Sequence, residues 1–191
     1  MTKGRLEAFS DAVIAIIITI MVLELHVPRG ADWPALRSIV PVLSMYLLSF
    51  VFLAIYWNNH HHMLHATTRI NGRILWANQH LLFWLSLVPF TTRWMGEYHL
   101  APLPTAAYGV VLLLAGIAYT LLTNAIVAHE GPTSKLAVAV GTDRKGKVSL
   151  AAYVVAIPFA FVNTWVSLGL FVLVALIWLV PDRRIESILD R

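Results

Sequence analysis

Long uncharged stretches alternate with short charged runs along this chain. Ser38–Trp57 holds 20 residues without Lys, Arg, Asp or Glu, Ile74–Thr92 holds 19 and Leu100–Ala128 holds 29. Each suits one membrane-spanning helix, which needs about 20 apolar residues. Val148–Pro181 holds 34 such residues. As one helix it would measure about 50 Å, too long for a hydrocarbon core of about 30 Å. Two shorter helices turning near Asn163–Thr164 fit better. The first uncharged run, Ala12–Leu23, has only 12 residues. The pattern predicts an all-α fold: one domain over residues 1–191, a six-transmembrane-helix bundle with helices near 6–27, 37–60, 73–94, 104–129, 148–163 and 165–181.

Composition sharpens this picture. Of the 191 residues, 59% are hydrophobic and 13% charged. A soluble domain carries about twice that share of charge. With six spans and both termini cytoplasmic, the inner segments hold 11 of the 14 Lys and Arg, including Arg183, Arg184 and Arg191. The outer segments hold Arg29, Arg37 and Arg93. Five spans would put the C-terminal arginines outside, against the positive-inside rule. The net charge of +4 follows from these loops, so nucleic acid is not an expected partner. The expected location is a cell membrane, crossed several times, with the lipid bilayer as surroundings. Glu7 and Asp11 interrupt the start of the first segment and no small-residue cleavage site follows, so it reads as a retained span. Gly131–Lys147 reads as a solvated polar linker. The absence of cysteine excludes disulfides and thiolate chemistry.

The first helix is unusual. Its uncharged run is about 18 Å long, so Asp11, Glu24 or both lie at membrane depth and face protein or water. On a wheel of about 100° per residue, Ile16, Ile20 and Leu23 form a narrow stripe, with Phe9 and Ala12 extending it. Thr19 borders this seam and Asp11 faces elsewhere. Such a stripe serves either as core packing of a central helix or as the lining of a pore.

Arg5-Leu6-Glu7-Ala8-Phe9-Ser10-Asp11, entering directly into an Ile-rich helix, resembles the R-x-x-x-F-S-D signature of the lysosomal potassium channel family and its bacterial homologues. The likeness covers the whole chain. It implies a single repeat of six helices assembling as a homotetramer, with the first helices lining a pore for potassium or other monovalent cations. It also implies that Ile16 forms the narrowest ring, that Ile20 and Leu23 form further constrictions, and that Thr19 contributes to selectivity. Arg5, Phe9, Ser10 and Asp11 would then belong to a structural network. Candidate partners at the same depth are Trp57, Asn58, His60 and His61 on the second helix, and Asn78 and His80 on the third.

Other constellations are weaker. His61 and His65 have metal-pair spacing, but no carboxylate or cysteine accompanies them, and interfacial histidines are the simpler reading. No metal or other cofactor is expected. A carbonyl filter of the Thr-Val-Gly-Tyr-Gly type, an arginine-rich voltage sensor, a phosphate loop and a His-Glu-x-x-His motif are all missing from the sequence, so enzyme activity is not expected. The competing reading is a secondary transporter or accessory membrane protein with a polar site inside each protomer. Such proteins often carry inverted repeats and broken helices. The chain shows no internal repeat, and its first helix holds no Gly or Pro between Ala12 and Leu23.

Overall fold

In the computed structural model, which describes residues 2–179, the short first run forms α1 (Lys3–Leu23). The helix begins well before its uncharged part, so Arg5, Glu7 and Asp11 ride on it. After a loop, α2 (Trp33–His65) starts where the Asp32 carboxylate accepts from the Ala35 amide at 2.9 Å, with Pro34 in the first turn. Its 33 residues span about 50 Å. The next helix starts on a similar cap: the Asn71 side chain accepts from the Ile74 amide at 3.0 Å and opens α3 (Gly72–Ser86).

The sequence predicts one continuous third helix over 73–94. Instead it breaks at Leu87, and α4 (Val88–Glu97) follows. Pro89 explains the break. It has no N–H to give the Leu85 carbonyl, and its ring crowds that carbonyl. The turn tightens there, with the Leu87 amide bonding back to the Trp84 carbonyl at 3.2 Å.

The longest apolar stretch forms α5 (Pro102–Glu130), which stops at Gly131, where φ is +96°. The polar linker then contains a short helix, α6 (Lys135–Val140), capped by Ser134. Asp143 caps α7 (Arg144–Phe159) by accepting from the Gly146 amide at 3.1 Å. A turn through Ala160–Asn163 leads into α8 (Thr164–Leu179), close to the turn expected at Asn163–Thr164. Arg183, Arg184, Arg191 and the last two residues of the sixth expected helix lie outside the described residues. Among the described residues the chain is all helix and turn, without strands. Three helices, α1, α2 and α5, are long and apolar enough to cross a membrane, and α8 is apolar but shorter.

The core is built around α5, which packs on α3, α4, α7 and α8. Small residues on α5, among them Ala115, Ala118 and Gly109, let its neighbours approach. A methyl added at Gly109 would lie 3.1 Å from both Ile157 and Phe171. A similar close approach brings Gly96 of α4 against the Val42 backbone of α2. At one end of the bundle, Lys3 donates to the His65 carbonyl at 2.9 Å and Glu130 accepts from the Thr68 hydroxyl at 2.9 Å and from the Thr68 amide. At that end too, Trp178 of α8 donates to Ser149 of α7 at 2.9 Å. α1 lies on the flank of this core, against α2, α3 and α4.

Candidate functional site

α1 has two unlike faces. Leu6, Ser10, Ile14, Ile17 and Met21 are buried. Their spacing of three and four residues keeps them on one side of a 3.6-residue helix. Away from that side, Phe9, Ala12, Ile16, Thr19, Ile20 and Leu23 are all exposed. Ile16 is 56% exposed and Leu23 81%, while the neighbour Ile17 is 4% exposed. The seam marked out by the wheel is therefore the bare face of α1 in a single chain. The Thr19 hydroxyl donates to the Ile16 carbonyl at 2.9 Å, so it is held against its own helix on that face.

At the N-terminal end of the same helix the buried face carries polar groups. The Ser10 hydroxyl donates to the Leu6 carbonyl at 2.8 Å. It accepts in turn from Asn78 Nδ2 at 3.0 Å. Asn78 Oδ1 is 2.7 Å from His60 Nε2. An amide oxygen only accepts, so in this arrangement His60 is protonated at Nε2 and donates. The result is a one-way chain, His60 to Asn78 to Ser10 to Leu6, joining α2, α3 and α1. Its three side chains are at most 1% exposed. No buried side-chain nitrogen or oxygen among the described residues lacks a partner.

Beside this chain, Trp57 Nε1 donates to Asp11 Oδ1 at 3.0 Å. Asp11 is half-buried and Trp57 exposed. The Trp57 ring stacks on His61, and His61 on His65, with centroids 6.0 and 6.2 Å apart. The candidate partners thus divide. His60, Asn78 and Trp57 meet the signature residues. Asn58 is exposed and makes no side-chain hydrogen bond. His80 is exposed and instead accepts from Trp84 on its own helix at 2.8 Å. His61 reaches the group only by stacking on Trp57. Arg5 is exposed and makes no hydrogen bond or ion pair among the described residues, and Phe9 is exposed on the seam. No cluster of three or more His, Asp or Glu among the described residues has the arrangement of a metal site.

Two polar groupings escaped the sequence reading. At the C-terminal end of α1, Glu24 accepts from Arg93 Nη1, and Arg93 Nε donates to Glu97 at 2.8 Å. The Arg93–Glu97 spacing of four is visible in the sequence, but Glu24 lies 69 residues from Arg93 and nothing local links them. Deeper in, the Thr92 hydroxyl lies 2.7 Å from Ser49 Oγ, which lies 3.0 Å from the Tyr108 hydroxyl. This grouping ties α4 to α2 and α5 just beyond the break at Leu87.

Comparison with known proteins decides the family. A potassium channel from a Chryseobacterium species is 53% identical over 187 residues, which is 98% of this chain and 97% of that protein. The chain belongs to the TMEM175 potassium-channel family. The family described as "Endosomal/lysosomal potassium channel TMEM175" matches residues 5–89, from Arg5 into the first turn of α4. A potassium channel from Chamaesiphon minutus is 30% identical over 189 residues, covering 91% of each chain. The fold is also similar to the crystal structure of a lysosomal potassium-selective channel TMEM175 homologue from Chamaesiphon minutus. That match has a TM-score of 0.82 and 27% identity, and covers 94% of this chain and 97% of the other. TMEM175 proteins of this kind are membrane ion channels and not enzymes.

Proposed function

We propose that this chain forms a homotetrameric, leak-like potassium channel in the cell membrane. In this reading each subunit crosses the bilayer six times with both termini in the cytoplasm, α3 and α4 together making the third pass. The four α1 helices surround the pore. The observation that supports it is the bare face of α1: Ile16, Ile20 and Leu23 are exposed in one chain, while Ile14, Ile17 and Met21 on the other side of the same helix are buried. Burying that face against lipid would leave half-buried Glu24 at its edge, at a cost that facing a water-filled axis avoids.

Under this arrangement Ile16 forms the tightest ring and Ile20 and Leu23 wider ones. A ring of aliphatic side chains offers no hydrogen bonds to replace an ion's water, so it sets the barrier to permeation. Potassium sheds water more easily than sodium and meets the smaller barrier. Thr19 places a hydroxyl oxygen beside the ring, and the network of Ser10, Asn78 and His60 holds the helix in register. The transporter reading draws on the broken α3–α4 helix, a feature such proteins share. Oligomeric state separates the two, since a functional monomer or dimer in native mass spectrometry would remove the axial pore.

Liposome flux compared for potassium, sodium and protons tests the mechanism. Ile16→Asn should raise cation flux severalfold and reduce the preference for potassium. Ile17→Asn, on the buried face, should lower thermal stability without opening the pore. Unchanged flux in Ile16→Asn together with altered selectivity in Ile17→Asn would assign the pore to the wrong face.

A further inference from the structure

We propose that Glu24 and Glu97 collect cations at the pore mouth on the Leu23 side, and that Arg93 sets how much of their charge an approaching ion meets. This rests on the pore reading above. A cleft of about 760 Å³ opens between α1 and α4, bounded by Ile16 and Ile20 on one side and Phe90 on the other. The charged residues lining it are Glu24, Arg93 and Glu97. Glu24 stands four residues beyond Ile20, about 40° round the helix from it and about 100° from Leu23, so it sits at the edge of the seam on the side toward α4.

Their side chains are neither buried nor fully free, at 36–40% exposure. Water and ions reach the carboxylates, while the guanidinium holds both at once through different nitrogens, Nη1 to Glu24 and Nε to Glu97. Two carboxylates and one guanidinium leave one negative charge per subunit. Around a fourfold axis that makes a ring of four charges at the entrance. Fixed charge of one sign at a cleft raises the local concentration of counter-ions. The gain is largest at low ionic strength, where the Debye length is about 30 Å at 0.01 M, and nearly gone at about 3 Å in 1 M salt.

An ion pair that merely fastens α1 to α4 makes a different prediction, because breaking it from either side would have the same sign of effect. Unitary potassium current in planar bilayers separates the two, with potassium varied from about 10 mM to about 1 M on the Leu23 side. Glu97→Gln leaves the Glu24–Arg93 pair in place and should lower conductance about twofold at the dilute end and little at the concentrated end. Glu24→Gln should act in the same direction. Arg93→Gln exposes the charge of both carboxylates and should raise dilute-end conductance about twofold. Unchanged dilute-end conductance in both Glu→Gln variants would overturn the proposal. So would Arg93→Gln lowering conductance equally at every salt concentration. Ile16→Asn run alongside separates the two levels of inference. If it alters the current while the charge variants do not, the collecting ring is wrong and the pore assignment stands. If it leaves the current unchanged, the pore assignment fails and the ring with it.

Discussion

The two ends of α1 are fastened by opposite means. At the N-terminal end a neutral chain of hydrogen bonds, fully buried, runs from His60 through Asn78 to Ser10. At the C-terminal end a guanidinium grips two half-exposed carboxylates. A buried neutral chain leaves unsatisfied groups behind when one link is removed, and desolvation makes that costly. An ion pair in contact with water loses little when broken, because water replaces the partner. The N-terminal fastening therefore carries stability and register. The C-terminal one contributes mainly charge and position. One helix thus has a fixed end and an adjustable end, with the bare aliphatic face between them.

Removing the middle of the buried chain should have the largest effect. Asn78→Ala strands the buried His60 N–H and leaves the Ser10 hydroxyl only its bond to the Leu6 carbonyl, and should cost about 3 kcal/mol of stability. The check is a thermal melt of the detergent-solubilised protein, and a shift too small to resolve would end the claim that this chain fixes α1. Ser10→Ala removes only the last link and leaves a single Asn78 amide hydrogen unpaired. About half the Asn78→Ala penalty is expected in the same melt. A penalty equal to that of Asn78→Ala would mean that the serine, not the asparagine, organises the group. Smaller again is Trp57→Phe, which deletes the donor to half-exposed Asp11. A loss of about 1 kcal/mol is expected, with intrinsic fluorescence following unfolding. Arg93→Gln should shift the melting temperature least of all. If it instead destabilised the protein as much as Asn78→Ala, the contrast between the two ends would collapse.

How far this was readable in the sequence depends on which coordinate of a residue is asked for. Depth is readable: an uncharged run of known length places Asp11, His60 and Asn78 at one level, and the structure brings His60 and Asn78 to Ser10. Azimuth is readable only on a helix whose periodicity is clear. α1 is such a helix: Ile16, Ile20 and Leu23, which the wheel puts on one stripe, are all exposed in the folded chain. On α2 and α3, depth alone admitted Asn58 and His80. Each lies two residues from the true partner, about 200° round the helix, so each points away from it. Contacts across long sequence separation were not readable at all. Arg93 looked like one outer-loop cation until folding placed it against Glu24. Pro89 lies inside the helix expected over 73–94; the break at Leu87 and the resumption of helix as α4 emerge only in the fold, where the Ser49, Thr92 and Tyr108 hydroxyls tie the second piece in place.

The bare face of α1 has a consequence for how the protein can vary. Leu6, Ile14, Ile17 and Met21 pack against the rest of the chain, and a change there disturbs its fold. Ile16, Thr19 and Leu23 pack against little within the chain, so a mutation there leaves the folded subunit almost as it was. Under the proposed pore, selection on permeation and selection on folding act on separate letters of the same 21-residue helix. A lineage under pressure to pass a different ion would then explore substitutions at these three positions before it met a folding defect.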